Sequence, residues 1–183
     1  MKPLFALLLL AFSHNVLAIE LWPSQYVAGL QPIKTLADVE SLTELYDCGE
    51  VERETFCAFE QSYRGIELDV VIAVDSEGKV TEVNYSFPFS VYHFTYVQTA
   101  LRKDSYHLVE VKIGDEILTV EELINQGTAQ TADKKLVEFL NLHPTFVSQQ
   151  FTWIRKNEIQ NTLATKTLLM TSDAERIHLI WNR

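Results

Sequence analysis

Two stretches of the chain share one order, a helix-like segment followed by three strand-like segments, and this order restricts the fold more than any other feature. The strand-like segments are rich in β-branched and aromatic residues and are bounded by turn formers. They cover about Thr55 to Tyr63, Ile66 to Val74 and Lys79 to Phe87, and then about Phe146 to Ile154, Leu163 to Met170 and Arg176 to Trp181. Asp75-Ser76-Glu77-Gly78 predicts a hairpin turn between the second and third segments. We therefore predict an α+β fold in which antiparallel sheet carries helices on one face.

Helix signals lie before, between and after these strands. Thr35 is a suitable N-cap, and Thr131 precedes a run whose apolar residues lie near one face. We expect helices at about 35–46, 90–101, 120–125 and 132–142, an extended lead-in at 19–34, and a further strand from Tyr106 to Ile113. The β-branched and aromatic content of 90–101 suits a strand as well as a helix, and helix is preferred for its apolar spacing.

The domain organisation leaves two arrangements open. The units 35–87 and 119–183 show no residue-level similarity, so two helix-plus-three-strand units in tandem and two unrelated halves of one domain are equally acceptable. The residues from Ile19 to Arg183 fall in the size range of one ordinary domain. We expect a single compact domain over 19–183.

The first eighteen residues have the order of a cleavable secretory signal. Lys2 precedes an apolar run from Leu4 to Phe12, and small residues end at Ala18, so we expect cleavage before Ile19. The alternative of a permanent membrane anchor is weak, because a spanning helix needs roughly 20 apolar residues. The brief signal is typical of bacteria, and we expect a periplasmic protein without stable membrane insertion. In a eukaryotic secretory route, Asn84-Tyr85-Ser86 would instead be a glycosylation acceptor.

The only two cysteines, Cys48 and Cys57, are separated by eight residues. In an exported protein, an even count at short spacing predicts a disulfide. Metal binding is the poorer alternative, because no second cysteine pair or nearby histidine completes a site.

Charge is distributed unevenly along the chain. The formal charge of −10 becomes −11 once the leader removes Lys2. Residues 19–132 carry 20 acids and 7 Lys or Arg, whereas 133–183 carry 5 acids and 7 Lys or Arg. The acidic part would repel nucleic acid and anionic membrane, so we expect a protein partner with a basic surface.

Motifs for catalysis are absent from the sequence: there is no G-x-S-x-G, phosphate loop, H-E-x-x-H or C-x-x-C. His93, His107, His143 and His178 are isolated from one another, and we assign no catalytic, cofactor or metal residue. Glu67 and Asp69 would share one face of a strand and could act as general acid and base, although a solvated strand face is the stronger interpretation. Asp75 to Gly78 lacks the rest of a calcium loop.

Two features point to recognition rather than catalysis. Acidic residues are dense from Asp38 to Glu60, partly within the expected disulfide loop, and aromatic residues recur from Tyr85 to Tyr96. The candidate partner-binding residues are Asp47, Glu50, Glu52, Glu54, Tyr92, His93 and Tyr96. We expect a non-enzymatic binding protein that neutralises or regulates a protein in the periplasm, such as an immunity protein or an inhibitor. An envelope accessory module, or a hydrolase whose site is assembled only in three dimensions, is the alternative.

Overall fold

The computed structural model describes residues 22–144, 147–155 and 167–182. The expected leader and its cleavage site lie outside these residues. The helices are α1 (Trp22–Val27), α2 (Leu36–Glu40), α3 (Val91–Lys103), α4 (Val120–Asn125) and α5 (Ala129–Leu142). The strands are β1 (Tyr46–Asp47), β2 (Thr55–Tyr63), β3 (Ile66–Val74), β4 (Val80–Pro88), β5 (Tyr106–Ile113), β6 (Glu116–Thr119), β7 (Gln149–Arg155), β8 (Thr167–Ser172) and β9 (Arg176–Asn182).

The nine described strands form one antiparallel sheet in the order β1-β2-β3-β4-β9-β8-β7-β5-β6. The meanders β2–β4 and β7–β9 are joined through their last strands, with Glu82 opposite Asn182 and Pro88 opposite Arg176. The strands of both predicted units therefore belong to the same sheet. The predicted α+β class with antiparallel sheet is confirmed.

Side chains on one face of the sheet form the core. One row of directly paired residues crosses six strands without measurable exposure: Val70, Tyr85, Leu179, Met170, Phe151 and Val111. The opposite face carries polar, partly exposed side chains such as Asp69, Ser86 and His178. Alternation with a period of two therefore separates a dry face from a wet one.

Helix α1 packs on the dry face, although the sequence predicted an extended segment there. Trp22 and Tyr26 form an aromatic cluster with Tyr85 and Trp181. The Arg155 guanidinium donates a hydrogen bond to the Val27 carbonyl and thereby ties α1 to β7. The prediction was wrong because α1 is stabilised by tertiary burial. A six-residue segment with an early proline has too little local helix signal to be predicted from its sequence.

Three of the other helices, α2, α3 and α5, begin at a residue whose side chain caps the helix. Thr35 caps α2 in a reciprocal arrangement with Asp38, as its sequence predicted, but the helix ends at Glu40 rather than near Tyr46. Tyr46 instead begins strand β1. Helix α5 begins earlier than predicted because Thr128 is the N-cap and Thr131 is its capping partner. Ser90 caps α3, and the helical interpretation of that segment is confirmed.

Within the described residues, none of the helices combines the length and apolar character needed to cross a bilayer.

Candidate functional site

The sheet edge formed by β1 carries a short loop closed by a disulfide. Cys48 and Cys57 are bonded, with their Cα atoms 5.8 Å apart, so the predicted disulfide is confirmed. The Cys48 backbone N–H donates to the Thr55 carbonyl at 2.9 Å, which pairs the two ends of the loop beside the bridge. Residues 48–54 are all exposed. This edge therefore presents a covalently closed, solvent-facing segment, which we call the acidic loop (47–54).

Asp47 organises the acidic loop from within. Its carboxylate accepts hydrogen bonds from the backbone N–H of Arg53 at 2.7 Å and of Gly49 at 3.3 Å. Arg53 has a φ of 65°, and its guanidinium lies 2.5 Å from a carboxylate oxygen of Glu40. Asp47 thus supports the loop conformation, and Arg53, the one base of the loop, is used in an ion pair outside it.

Glu50, Glu52 and Glu54 remain as the outward charges of the loop. All three side chains are exposed, and none forms an ion pair with another described residue. Their carboxylates repel one another, so a cationic group brought near them is attracted without first displacing an intramolecular counter-ion. The loop therefore concentrates negative charge at a fixed place on the molecule.

Two aromatic rings lie beside this loop and were not singled out by the sequence. Tyr46 and Phe59 have ring centroids 6.0 Å apart, and the two residues are 49% and 53% exposed. Phe59 follows the buried Ala58, so alternation along β2 turns its ring to the opposite face; a β-bulge between Ala58 and Gln61 follows, and Glu60 adopts a positive φ of 55° there. The only sequence signal was an aromatic residue at a strand position that alternation does not bury.

Tyr92 and Tyr96 lie elsewhere, on helix α3. Their rings stack at 5.5 Å with an interplanar angle of 16°, and the Tyr96 hydroxyl donates to the Arg64 carbonyl at 2.9 Å. Arg64 follows β2, whereas the acidic loop precedes that nine-residue strand. The two predicted surfaces are thus separated by roughly 25–30 Å along the strand direction, and the structure does not bring them together.

His93 has a structural environment. Its Nδ1 lies 3.1 Å from the Pro88 carbonyl oxygen, and its ring packs edge-on against Phe87 with centroids 5.8 Å apart. The ring therefore joins the start of α3 to the end of β4. The outward part of the predicted aromatic patch consists of Tyr92 and Tyr96.

The open face of the sheet holds a polar cluster that includes one of the two carboxylates considered for hydrolysis. An Arg176 nitrogen lies 2.8 Å from Asp69 and 2.8 Å from the Ser86 hydroxyl. Glu67 is exposed on the same face. Desolvation, followed by the Arg176 charge, lowers the pKa of the neighbouring His178 below its ordinary value of 6.5. The Asp69 carboxylate is thus held in an ion pair, as expected for a half-solvated strand face.

A second group of titratable side chains converges at Asp104, whose carboxylate accepts a hydrogen bond from the Tyr63 hydroxyl at 2.8 Å and pairs with Arg64. In the part of the chain that the structure describes, no three His, Cys, Asp or Glu side chains come close enough to hold a metal ion.

The class defined by these features is an α+β protein with a one-sided antiparallel sheet and an acidic, disulfide-closed edge. The chain matches no protein-family model, no curated protein and no solved structure.

Proposed function

We propose that the chain is an exported binding protein whose β1 edge docks on a basic surface of a protein partner. In this proposal, docking neutralises or regulates that partner in the periplasm, as an immunity protein or inhibitor would. The single observation that carries the proposal is the exposed Tyr46–Phe59 pair beside three carboxylates that have no described counter-ion.

The chemistry of this edge suits a protein interface. Aromatic rings provide a large contact area with few rotatable bonds, and they are enriched among the residues that dominate binding energy. Flanking carboxylates accelerate association with a cationic partner and favour it over acidic competitors. A Lys or Arg side chain placed over the Tyr46 or Phe59 ring would gain both the ring face and the nearby negative charge.

The edge is also rigid before any partner arrives. The Cys48–Cys57 bond and the two backbone hydrogen bonds accepted by Asp47 hold the loop, so little conformational entropy is lost on binding. This arrangement assigns different roles to the predicted residues. Asp47 supports the loop, whereas Glu50, Glu52 and Glu54 contact the partner.

Site-specific photo-cross-linking in the native host tests the proposal. A photoreactive amino acid at Phe59 should give one dominant adduct with a basic envelope or secreted protein. The same group at Tyr92, an exposed aromatic position away from the edge, is the matched control and should not give this adduct. With the purified partner, the protein should lower that partner's activity at a one-to-one ratio.

Charge reversal distinguishes docking at this edge from general electrostatic attraction. Glu50→Lys/Glu52→Lys should weaken binding of the cross-linked partner by at least about tenfold, since two attractive charges become repulsive. Asp115→Lys/Glu122→Lys makes the same change in net charge at the far side of the sheet and should have little effect. Equal weakening by both pairs, or no basic adduct from position 59, would overturn the proposal.

A further inference from the structure

A cavity of about 520 Å³ lies at the other side of the sheet, between strand β5 and the helical hairpin α4–α5. Its volume is in the range of small-molecule sites. The walls come from Arg102 at the end of α3, Leu108 and Val109 of β5, Val120 and Ile124 of α4, and Leu136 of α5. Eight strand spacings separate β1 from β6, roughly 35–40 Å, so this cavity is independent of the proposed partner surface.

A β-bulge enlarges the apolar floor of the cavity. The register of β5 against β7 shifts between Leu108 and Glu110, which leaves Val109 as the additional residue. Leu108 and Val109 both line the cavity as a result, where regular alternation would turn one of them to the other face. Both side chains are only partly buried.

The helical hairpin leaves this floor incompletely covered. Leu123 and Ala132 are the only buried residues in α4 and α5. Ile124, which lines the cavity, is 48% exposed, and Val120 and Leu136 are partly exposed. An apolar occupant would remove these side chains and the floor from water, and this burial would stabilise the complex.

A cationic side chain, Arg102, lies at the α3 end of the cavity. The Arg102 guanidinium lies 5.3 Å from the centre of the Trp153 ring, and it has no carboxylate partner among the described residues. Trp153 is fully buried opposite Leu108, so its ring is a fixed support for the Arg102 side chain. This end of the cavity is therefore suited to an anionic group.

The acidic residues of the cavity lie on the helical hairpin. Glu121 and Asp133 are exposed on the surface of the hairpin, where water screens their charge. Arg102 is exposed as well, but its contact with the Trp153 ring restricts the guanidinium, which can bind a carboxylate through two hydrogen bonds.

We propose that the cavity binds an amphipathic molecule with an alkyl body and a single anionic head group. The alkyl chain lies between β5 and the α4–α5 hairpin, and the head group contacts the Arg102 guanidinium. The ligand class is thus that of medium-chain carboxylates.

Calorimetric titration of the exported protein, produced from the full-length sequence, tests the site with two probes that share one alkyl chain. Dodecanoate, kept below its micellar concentration, should bind at a one-to-one ratio. Dodecyltrimethylammonium should bind at least about tenfold more weakly, because its head group meets Arg102 with the same sign of charge. No saturable dodecanoate binding, or equal affinity for the two probes, would overturn the proposal.

Two matched variants test whether the anionic head group of the ligand contacts Arg102. Arg102→Gln should weaken dodecanoate binding about tenfold, the effect of losing one charge-assisted hydrogen bond. Lys103→Gln removes the adjacent exposed cation, which does not line the cavity, and should change affinity less than about twofold. Circular dichroism melting curves establish that both variants are folded. Equal effects of the two substitutions would refute the assignment of Arg102.

Discussion

Loss of the Cys48–Cys57 bond should destabilise the protein by an amount set by the loop that it closes. The two residues are nine positions apart in sequence. In the chain-entropy model, closing a loop of about ten residues removes roughly 9 cal/mol/K from the unfolded chain, which is about 2.7 kcal/mol at 25 °C. With a urea dependence of about 2 kcal/mol/M, the unfolding midpoint should fall by about 1–2 M on reduction.

Tryptophan fluorescence during urea unfolding is the suitable assay. The three tryptophans, Trp22, Trp153 and Trp181, are all buried on the dry face of the sheet, so their emission reports global unfolding rather than changes in the loop. The oxidised and dithiothreitol-reduced forms of the natural protein should be compared. Cys48→Ala/Cys57→Ala should be slightly less stable than the reduced protein, because Cys57 is 8% exposed and its sulfur contributes to packing.

The comparison can refute the reasoning. If reduction shifts the midpoint by less than about 0.3 M, the bridge does not restrict the unfolded chain as the loop-closure model requires. If the double alanine variant loses far more stability than the reduced protein, burial of the Cys57 side chain dominates instead of the cross-link.

Two further predictions concern Gly29 and His178. Gly29→Ala should cost about 2–3 kcal/mol in thermal or urea unfolding, because φ is +73° and the new Cβ would displace the Arg155 guanidinium that ties down α1. Gly65→Ala, with φ of +83° and no atom within 4 Å of the Cβ, should cost only about 1 kcal/mol. Equal losses of stability in the two variants would contradict a steric collision between the new Cβ at position 29 and Arg155. The pKa of His178 is lowered in the folded state, so its stabilising contribution is present above the unfolded value of about 6.5 and is lost as pH falls through the folded pKa. His178→Gln should therefore lose less stability than the natural protein between about pH 7.5 and pH 5, and parallel stability curves for the two proteins would contradict this.

Local pattern predicted much of the secondary structure. The bounds of β2, β3 and β5 agree with the sequence prediction, since each is a segment rich in β-branched and aromatic residues that ends at a tight turn. The predicted turn from Asp75 to Gly78 is also present. Gly78 has a φ of +76°, and the Asp75 carboxylate accepts hydrogen bonds from two backbone N–H groups of the turn. These signals are contained within a few neighbouring residues.

Long-range pairing and irregular geometry could not be predicted in this way. The contact between β4 and β9 joins residues about 100 positions apart, and no local pattern specifies it. The charge density of the acidic loop was evident from the sequence. The role of Asp47 in supporting the loop was not, because it depends on hydrogen bonds to backbone N–H groups that form only in the folded loop. The contact between Phe59 and Tyr46 depends on the pairing of β1 with β2, which alternation within one strand does not specify.

The position of β9 has a consequence for how the chain folds. Strand β9, the last of the described strands in chain order, is the fifth of nine in the sheet, and both of its edges are paired, with β4 on one side and β8 on the other. A growing chain therefore has two sheet fragments with open edges until β9 is available, and only then can they become one cooperative unit. Removing a few residues from this strand should divide the sheet at its centre and not at its margin. The protein thus cannot complete its hydrophobic core before the residues of β9 are available.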